Sequence, residues 1–213
     1  MITTLLLTIL GGLLLLVLWQ LFRKPAATVN SAVPVSTTNP TVAVTLPQAR
    51  PGDVISVHGA AADFSDIDFT VERKNRYESG PNSWIELTGD FRGQRVFLEV
   101  YPGREADIIG FFDASKPTLA DIGVSEEQLA LMDESQNPAA GFPWNGKQWQ
   151  YESSREVGYF ENEAGNGEGF YRWVFRDPAS KALICVEKWE GDPFSVRVAQ
   201  RLNSQDITIF RAA

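Results

Sequence analysis

An apolar run near the start of the chain constrains the protein more than any other feature of its sequence. The run Ile2–Phe22 contains no charged side chain, and Arg23 and Lys24 follow it. A helix of this length measures about 31 Å, which matches the ~30 Å hydrocarbon thickness of a bilayer. Trp19 lies near the end of the run, where interfacial aromatic residues are common. The sequence therefore predicts a single transmembrane helix within an anchor segment, residues 1–24.

A cleaved secretory signal is the alternative for this segment. Signal peptides combine a basic region, an apolar core of about 7 to 15 residues and a small-residue cleavage site. No Lys or Arg precedes the run, and the run is longer than such a core, so a retained anchor is favoured. Because Arg23 and Lys24 flank its C-terminal end, the positive-inside rule places the rest of the chain in the cytoplasm.

Composition divides the rest of the chain into two parts. Residues 25–50 are rich in Pro, Thr, Val and Ala, which favours an extended, flexible linker. Residues 51–213 carry 16 basic and 27 acidic side chains, a formal charge of −11. Phosphate backbones require a basic surface, so we expect no nucleic-acid partner.

The segment 51–213 has the pattern of β-structure throughout. Aromatic or alternating runs are separated by turn signals such as Gly80-Pro81 and Asp177-Pro178. The predicted strands are Val54–His58, Phe69–Tyr77, Trp84–Thr88, Arg95–Tyr101, Ile108–Phe112, Gln148–Tyr151, Glu156–Phe160, Phe170–Phe175, Ala182–Trp189, Phe194–Val198 and Ile207–Phe210.

One short helix interrupts these strands. Ser125 and Gln128 have the spacing of a capping box, and Leu129, Leu131 and Met132 supply a small apolar face. We expect this helix to link two halves of the domain, within residues 117–135.

A weak internal repeat suggests how the halves are related. Three segments of the first half resemble three segments of the second: 69–72 with 149–152, 84–90 with 171–177, and 95–101 with 183–189. Two similar antiparallel units that bury each other's apolar faces would form a β-sandwich or an open barrel. The predicted fold is therefore mainly β, with one linking helix and the N-terminal transmembrane helix.

Seven short aromatic and acidic segments carry a family resemblance. They are Pro51–Ile55, Phe69–Glu72, Trp84–Leu87, Phe97–Val100, Tyr171–Trp173, Cys185–Trp189 and Asp206–Ile207. Together they resemble the bacterial family named domain of unknown function 4178, over residues 51–210. The resemblance implies a β-rich bacterial module without established activity, often encoded near membrane-stress and polyamine-related genes. It supplies no catalytic residues, and the anchor and the linker lie outside it. In a bacterium, we expect the predicted anchor to span the inner membrane.

Few residues offer catalytic or metal chemistry. His58 is the only histidine, and the nearby carboxylates lack a repeated ligand spacing, so we expect a surface or strand-end histidine and no metal. Cys185 lies in the middle of a predicted strand, where a thiol is usually buried. The glycines of residues 165–169 lack the Lys-Ser/Thr ending of a phosphate loop and predict a hairpin instead. We expect no cofactor.

Two pairs of acidic and aromatic residues form the candidate site. Alternate residues of a strand share a face, so Glu99 lies beside Tyr101 and Glu187 beside Trp189. Equivalent strands of two units could bring both pairs together, where carboxylates and aromatic faces suit an organic cation. In the alternative interpretation, both glutamates simply face water, as on half-buried antiparallel strands.

The sequence thus leaves three classes of function, in this order. The first is a membrane-tethered, non-enzymatic cytoplasmic module that binds protein partners, in a membrane-stress or polyamine-linked system. The second is a domain that binds or senses a polyamine-like cation. The third is an enzyme, for which no catalytic motif offers support.

Overall fold

The computed structural model describes residues 45–103 and 107–212. The predicted anchor, residues 2–22, and the linker up to residue 44 lie outside this range. The described residues belong to one compact unit, Ala43–Ala213. No helix among them is both long and apolar enough to cross a membrane.

Twelve strands and one α-helix make up the described domain. Their bounds are β1 Val54–Val57, β2 Ile67–Thr70, β3 Arg73–Ser79, β4 Asn82–Phe91, β5 Gln94–Tyr101, β6 Asp107–Phe111, α1 Glu126–Ser135, β7 Gly141–Trp144, β8 Lys147–Phe160, β9 Glu168–Arg176, β10 Ala182–Trp189, β11 Ser195–Leu202 and β12 Ile207–Phe210.

Eight strands close an antiparallel barrel in the order β3-β4-β5-β6-β11-β10-β9-β8. Closure comes from the pairing of β3 with β8, at Tyr77 opposite Tyr159. The prediction of a mainly β, antiparallel domain is confirmed. The structure differs from the expected sandwich or open barrel because the sheet has no open edge between its first and last barrel strands.

The length of β8 makes this closure possible. We expected two strands, 148–151 and 156–160, but one strand runs from Lys147 to Phe160. Its first part pairs with β7 and its end pairs with β3. An irregularity between Tyr151 and Ser153 shifts the register against β9, and such a bulge bends a strand and increases its twist.

A separate three-stranded sheet, in the order β12-β1-β2, packs on the outside of β4 and β5. Its apolar side chains, including Ile55 and Phe69, form one core cluster with Leu87 and Leu98 of the barrel. Gly89 permits this contact, because a Cβ at that position would lie 2.4 Å from the carbonyl oxygen of Thr70. The apolar outer face of these barrel strands is thereby removed from water.

Helix α1 and β7 cover the outer face on the other side of the barrel. Leu129 and Met132 of α1 join a core cluster with Phe175 and Ile184. The predicted cap is confirmed, since the backbone N–H of Gln128 donates to the Ser125 hydroxyl at 3.2 Å, and the Gln128 side chain accepts from the Ser125 N–H at 2.8 Å. Leu131, which we placed on the apolar face, is 63% exposed.

The folded domain begins before residue 51. Residues 45–50 were assigned to the linker, but Leu46 and Ala49 are buried in the cluster beneath the small sheet. Lys74 also donates to the carbonyl oxygen of Pro47 at 2.9 Å. These contacts join the end of the predicted linker to the domain.

The barrel consists of two successive four-stranded meanders, β3 to β6 and β8 to β11. The predicted equivalence of 95–101 with 183–189 aligns β5 with β10, and in this alignment residues at equivalent positions face the barrel interior. Tyr101 and Trp189 are then equivalent, so their stacking partners, Trp84 and Phe170, are equivalent as well. The predicted equivalence of 84–90 with 171–177 is therefore wrong by one residue. The segments 69–72 and 149–152 lie in different sheets.

Candidate functional site

The candidate glutamates meet inside the barrel. Glu99 on β5 and Glu187 on β10 are both buried, with 0% and 5% of their surfaces exposed. The interpretation in which they face water is therefore wrong. Strand alternation did not predict the burial of these glutamates because both faces of their strands are covered. The small sheet or α1 covers the outer face, and the opposite wall of the barrel covers the inner face.

Arg172 of β9 joins the two glutamates. Its Nη1 and Nη2 donate to the two carboxylate oxygens of Glu99, each at 2.9 Å. Its Nε and Nη2 donate to Glu187 Oε1 at 3.0 and 2.7 Å. Strands β5 and β9 are not neighbours in the sheet, so this ion pair crosses the interior.

A second arginine completes the pairing of Glu187. Arg197 Nη2 donates to Glu187 Oε1 at 2.6 Å. Burial alone would raise the pKa of Glu187, but Arg197 and Arg172 outweigh it and lower that pKa to about 2. Glu187 is thus held as a carboxylate between two guanidinium groups.

A third buried glutamate has a different environment. Glu86 on β4 accepts hydrogen bonds from Asn75 Nδ2 and the Tyr77 hydroxyl, both at 3.0 Å. Burial raises its pKa, against the opposing charge of Arg197. The interior therefore contains three carboxyl groups and two guanidinium groups, and the protonated form of Glu86 would balance their charges.

The predicted aromatic partners occupy separate positions. The Tyr101 hydroxyl donates to Glu99 Oε2 at 2.7 Å, and its ring stacks on Trp84. Trp189 instead stacks on Phe170, with ring centroids 4.2 Å apart. The guanidinium of Arg172 lies 5.3 Å from the Phe170 ring centroid. Carboxylates and aromatic rings therefore do surround a cation, and that cation is a side chain of the protein itself.

Sequence reasoning did not include Arg172 and Arg197 in the site. Arg172 lies between Tyr171 and Trp173, in a segment that the sequence assigned to a strand, to the repeat and to the family resemblance, but not to the site. The signal that could have found it is an arginine at an inward position of a strand whose remaining residues are apolar or aromatic. Buried arginines require carboxylate partners, and the sequence had already grouped Glu99 with Glu187.

A groove lies on the outside of the barrel. It runs over parts of β6 and β11, between Ile108 of β6, which packs with the small sheet, and Val196 of β11, which packs in the cluster of α1. Its larger part has a volume of about 630 Å³ and its smaller part about 400 Å³, and both are lined by Asp113, Ala182 and Val198. The two parts therefore form one continuous depression.

Small and apolar residues form much of this groove, and charged residues lie at its rim. The apolar lining includes Ala60, Ile67, Phe91, Phe112, Ala114 and Val198. Gly110 lets the Phe112 ring lie against β6, because a Cβ there would be 2.4 Å from that ring. The smaller part ends at Trp144 and Trp149, with Lys116 and Lys147 beside them.

Three other sequence predictions concern Cys185, residues 165–169 and His58. Cys185 is buried, and burial raises the pKa of its thiol to about 12, so it is inert. Residues 161–167 form the predicted hairpin connection between β8 and β9, and Glu168 and Gly169 are the first residues of β9. In the described residues, no group of three or more His, Cys, Asp or Glu side chains is arranged to hold a metal ion. His58 is an exposed residue after β1.

The comparisons with known proteins give one match. A sequence model of the domain of unknown function DUF4178 matches residues 50–204, which is well over half of the chain. No curated protein and no solved structure matches the chain. The match covers nearly all of the described β domain and confirms the resemblance that the strand segments indicated. The chain therefore belongs to the DUF4178 family.

Proposed function

We propose that this chain is a membrane-tethered, non-enzymatic interaction module of the bacterial inner membrane, and that it binds a protein partner in the outer groove. The apolar run of residues 2–22 would provide the tether, with the β domain on the cytoplasmic side. One observation carries the proposal: a groove of about 630 Å³ with an apolar lining lies on the surface, whereas the charged groups inside the barrel bind one another.

The shape of the groove favours an extended segment of the partner. Ala60 lines the larger part and Trp144 the smaller part, and several of the other lining residues are alanines. Apolar side chains of the partner would fill this space and contribute about 25 cal/mol for each Å² of apolar surface removed from water.

Charged side chains of both signs lie at the rim. Lys116 is exposed, and within residues 45–103 and 107–212 no carboxylate forms an ion pair with it. Asp113, which lines both parts of the groove, is also exposed, whereas Arg92 pairs with Asp63 at 3.3 Å. A partner segment would therefore place an acidic residue beside Lys116 and a basic residue beside Asp113.

Cation binding by Glu99, Tyr101, Glu187 and Trp189 has less support as a function. An organic cation would have to displace Arg172 from two buried carboxylates. The displaced guanidinium would then need a new partner inside the barrel, which is costly. We retain this alternative only as an outcome to be tested.

We also propose that the two meanders are copies of one ancestral unit. In the register of the structure, Glu86 is opposite Glu99 on β5, and Arg172 is opposite Glu187 on β10. The equivalent positions thus carry a carboxyl group in one unit and a guanidinium group in the other, so the second unit supplies the cation that Glu99 of the first unit binds.

A photo-crosslinking experiment tests the docking proposal. A photoreactive amino acid at Ala114, in the groove, should crosslink the full-length membrane protein to a partner, whereas the same residue at Ala130, exposed on α1, should not. Val198→Arg places a charge in both parts of the groove and should abolish the Ala114 adduct. Equal adducts from Ala114 and Ala130, or an Ala114 adduct unaffected by Val198→Arg, would contradict the proposal.

A further inference from the structure

A carboxylate, an imidazole and a hydroxyl form a series of two hydrogen bonds on the outer face of the small sheet. His58 Nδ1 lies 3.1 Å from Asp66 Oδ2, and His58 Nε2 lies 3.1 Å from Thr208 Oγ1. His58 follows β1, Asp66 precedes β2, and Thr208 lies in β12, so three adjacent strands bring them together. The imidazole is half exposed, so a reactant has access to it.

The hydrogen-bond partners determine the direction of proton transfer along this line. Asp66 also accepts from the Gly59 backbone N–H at 2.9 Å, and this bond, with that from His58, lowers the pKa of Asp66. An ionised carboxylate only accepts, so Nδ1 of His58 carries the proton. In the neutral imidazole, Nε2 is then an acceptor and receives the hydrogen bond of the Thr208 hydroxyl. This is the arrangement of a general base acting on a nucleophile.

The edge of the sheet supplies a hydrogen-bond donor beside the hydroxyl. The backbone N–H of His58 donates to the carbonyl oxygen of Asp206, so alternation in the antiparallel ladder directs the amides of Thr208 and Phe210 towards β1. The N–H of Ile209 consequently points away from β1, whereas the N–H of Ile207 donates to the carbonyl oxygen of Ser204. Among the described strands β12 pairs only with β1, so the Ile209 N–H lies at a free edge.

An apolar surface adjoins the same hydroxyl. Alternation places Phe210 on the same face of β12 as Thr208, and Phe210 is 56% exposed. An apolar acyl chain bound to the hydroxyl would contact this ring. The His58 imidazole, a backbone donor and the Phe210 ring thus lie around the hydroxyl oxygen of Thr208.

We propose that Thr208 is an acyl-acceptor site, which takes an apolar acyl group from an activated carboxylic ester. Thr208 Oγ1 forms a bond to the carbonyl carbon while its proton passes to His58 Nε2. The carbon–oxygen bond to the leaving group then breaks, and His58 returns the proton to that leaving group. Asp66 stabilises the intermediate imidazolium, and the N–H of Ile209, at the free edge next to Thr208, donates to the developing oxyanion.

This modification goes beyond the docking function and uses a different surface. It requires no turnover, because the product is the acylated protein. Sequence reasoning treated His58 as a surface residue, since Asp66 is close in sequence but Thr208 is 150 residues away.

Acetylation by p-nitrophenyl acetate tests the proposal on the full-length protein in detergent. Peptide mass spectrometry should find an acetyl group on Thr208, formed faster than on Thr70, an exposed threonine of β2. His58→Gln should slow the modification of Thr208 at least ~100-fold, the lower end of the ~10²–10⁴ range of general base catalysis. Thr208→Ser should keep it.

Asp66→Asn provides a second variant and should also slow the modification of Thr208, while Thr70 reacts at an unchanged rate. Three results would overturn the proposal: no acetyl group on Thr208, equal rates on Thr208 and Thr70, or a rate on Thr208 that both His58→Gln and Asp66→Asn leave unchanged. Acetylation of His58 without transfer to Thr208 would overturn it as well.

Discussion

Arg172 and Glu99 form a bidentate ion pair across the interior of the barrel, with both nitrogen–oxygen distances at 2.9 Å. The pair joins β9 to β5, and the same guanidinium also binds Glu187 on β10. One side chain therefore links the two meanders from the inside. A small barrel interior holds either packed side chains or one small ligand, and here side chains meet at its centre.

The first prediction concerns this internal link. Arg172→Met should lower the free energy of unfolding by about 3 to 5 kcal/mol, because Glu99 is left without its cation and Glu187 with only one. Denaturant unfolding of the described domain measures this loss. Arg73→Met is the matched control, since Arg73 pairs with Glu161 at an exposed site and should contribute at most about 1 kcal/mol. Equal effects of the two substitutions would contradict the structural role of Arg172.

The second prediction concerns acid stability. The pKa of Glu187 is lowered to about 2 from an ordinary 4.5. Its contribution is therefore complete above pH 4.5 and is lost as the pH falls from 4.5 towards 2, by roughly 3 kcal/mol. Glu187→Gln should reduce stability at neutral pH and give a shallower acid limb than the unsubstituted protein. Unfolding measured between these pH values tests this, and parallel curves would contradict it.

The third prediction concerns organic cations. Because Arg172 binds both candidate carboxylates, we expect spermidine to produce no saturable heat in calorimetry at low ionic strength. Trp189 fluorescence should also remain unchanged. Saturable binding that Glu187→Gln weakens would show instead that Arg172 can be displaced, and it would favour the cation-binding function.

The fourth prediction concerns the start of the domain. A fragment from Thr45 to Ala213 should unfold in one cooperative step and be more stable than one that begins at Pro51. The difference should be about 2 to 5 kcal/mol, because the shorter fragment lacks the buried side chain of Leu46. Equal stabilities, or two separate transitions in the longer fragment, would contradict this boundary.

The fifth prediction concerns the anchor. A phosphatase that is active only outside the cytoplasm, fused after Ala213, should show low activity because Arg23 and Lys24 favour an inside location. N-terminal sequencing of the purified protein should find an intact apolar run. High phosphatase activity would contradict the topology, and a mature start near residue 30 would contradict retention.

Local patterns in the sequence predicted most of the secondary structure. Alternation located the main strands, and the Ser125 and Gln128 capping box located the start of α1 within a residue. Besides the boundary expected within β8, two strand predictions failed where local signals do not decide. The run 69–77 is divided between two sheets at Val71 and Glu72, and β7 contains Pro143, which the sequence pattern did not identify as part of a strand.

Long-range pairing could not be predicted from these patterns. Closure of the barrel depends on β3 reaching β8, and burial of Glu99 depends on covers over both faces of its strand. Alternation reports only that the two faces of a strand differ. The repeat put Glu99 and Glu187 at equivalent positions, but neither pattern shows that both side chains face inward. The identity of their cation, Arg172, follows from β9 lying across the interior from β5.

The affinity of the crosslinked partner tests directly whether the outer groove is the docking surface. Once the partner segment is identified, its dissociation constant should be measured by calorimetry with the unsubstituted protein, Val198→Arg, and the control Ala130→Arg. We expect the partner to bind Val198→Arg at least tenfold more weakly than the unsubstituted protein, and Ala130→Arg with unchanged affinity. Unchanged binding by Val198→Arg would show that the groove is not the docking surface.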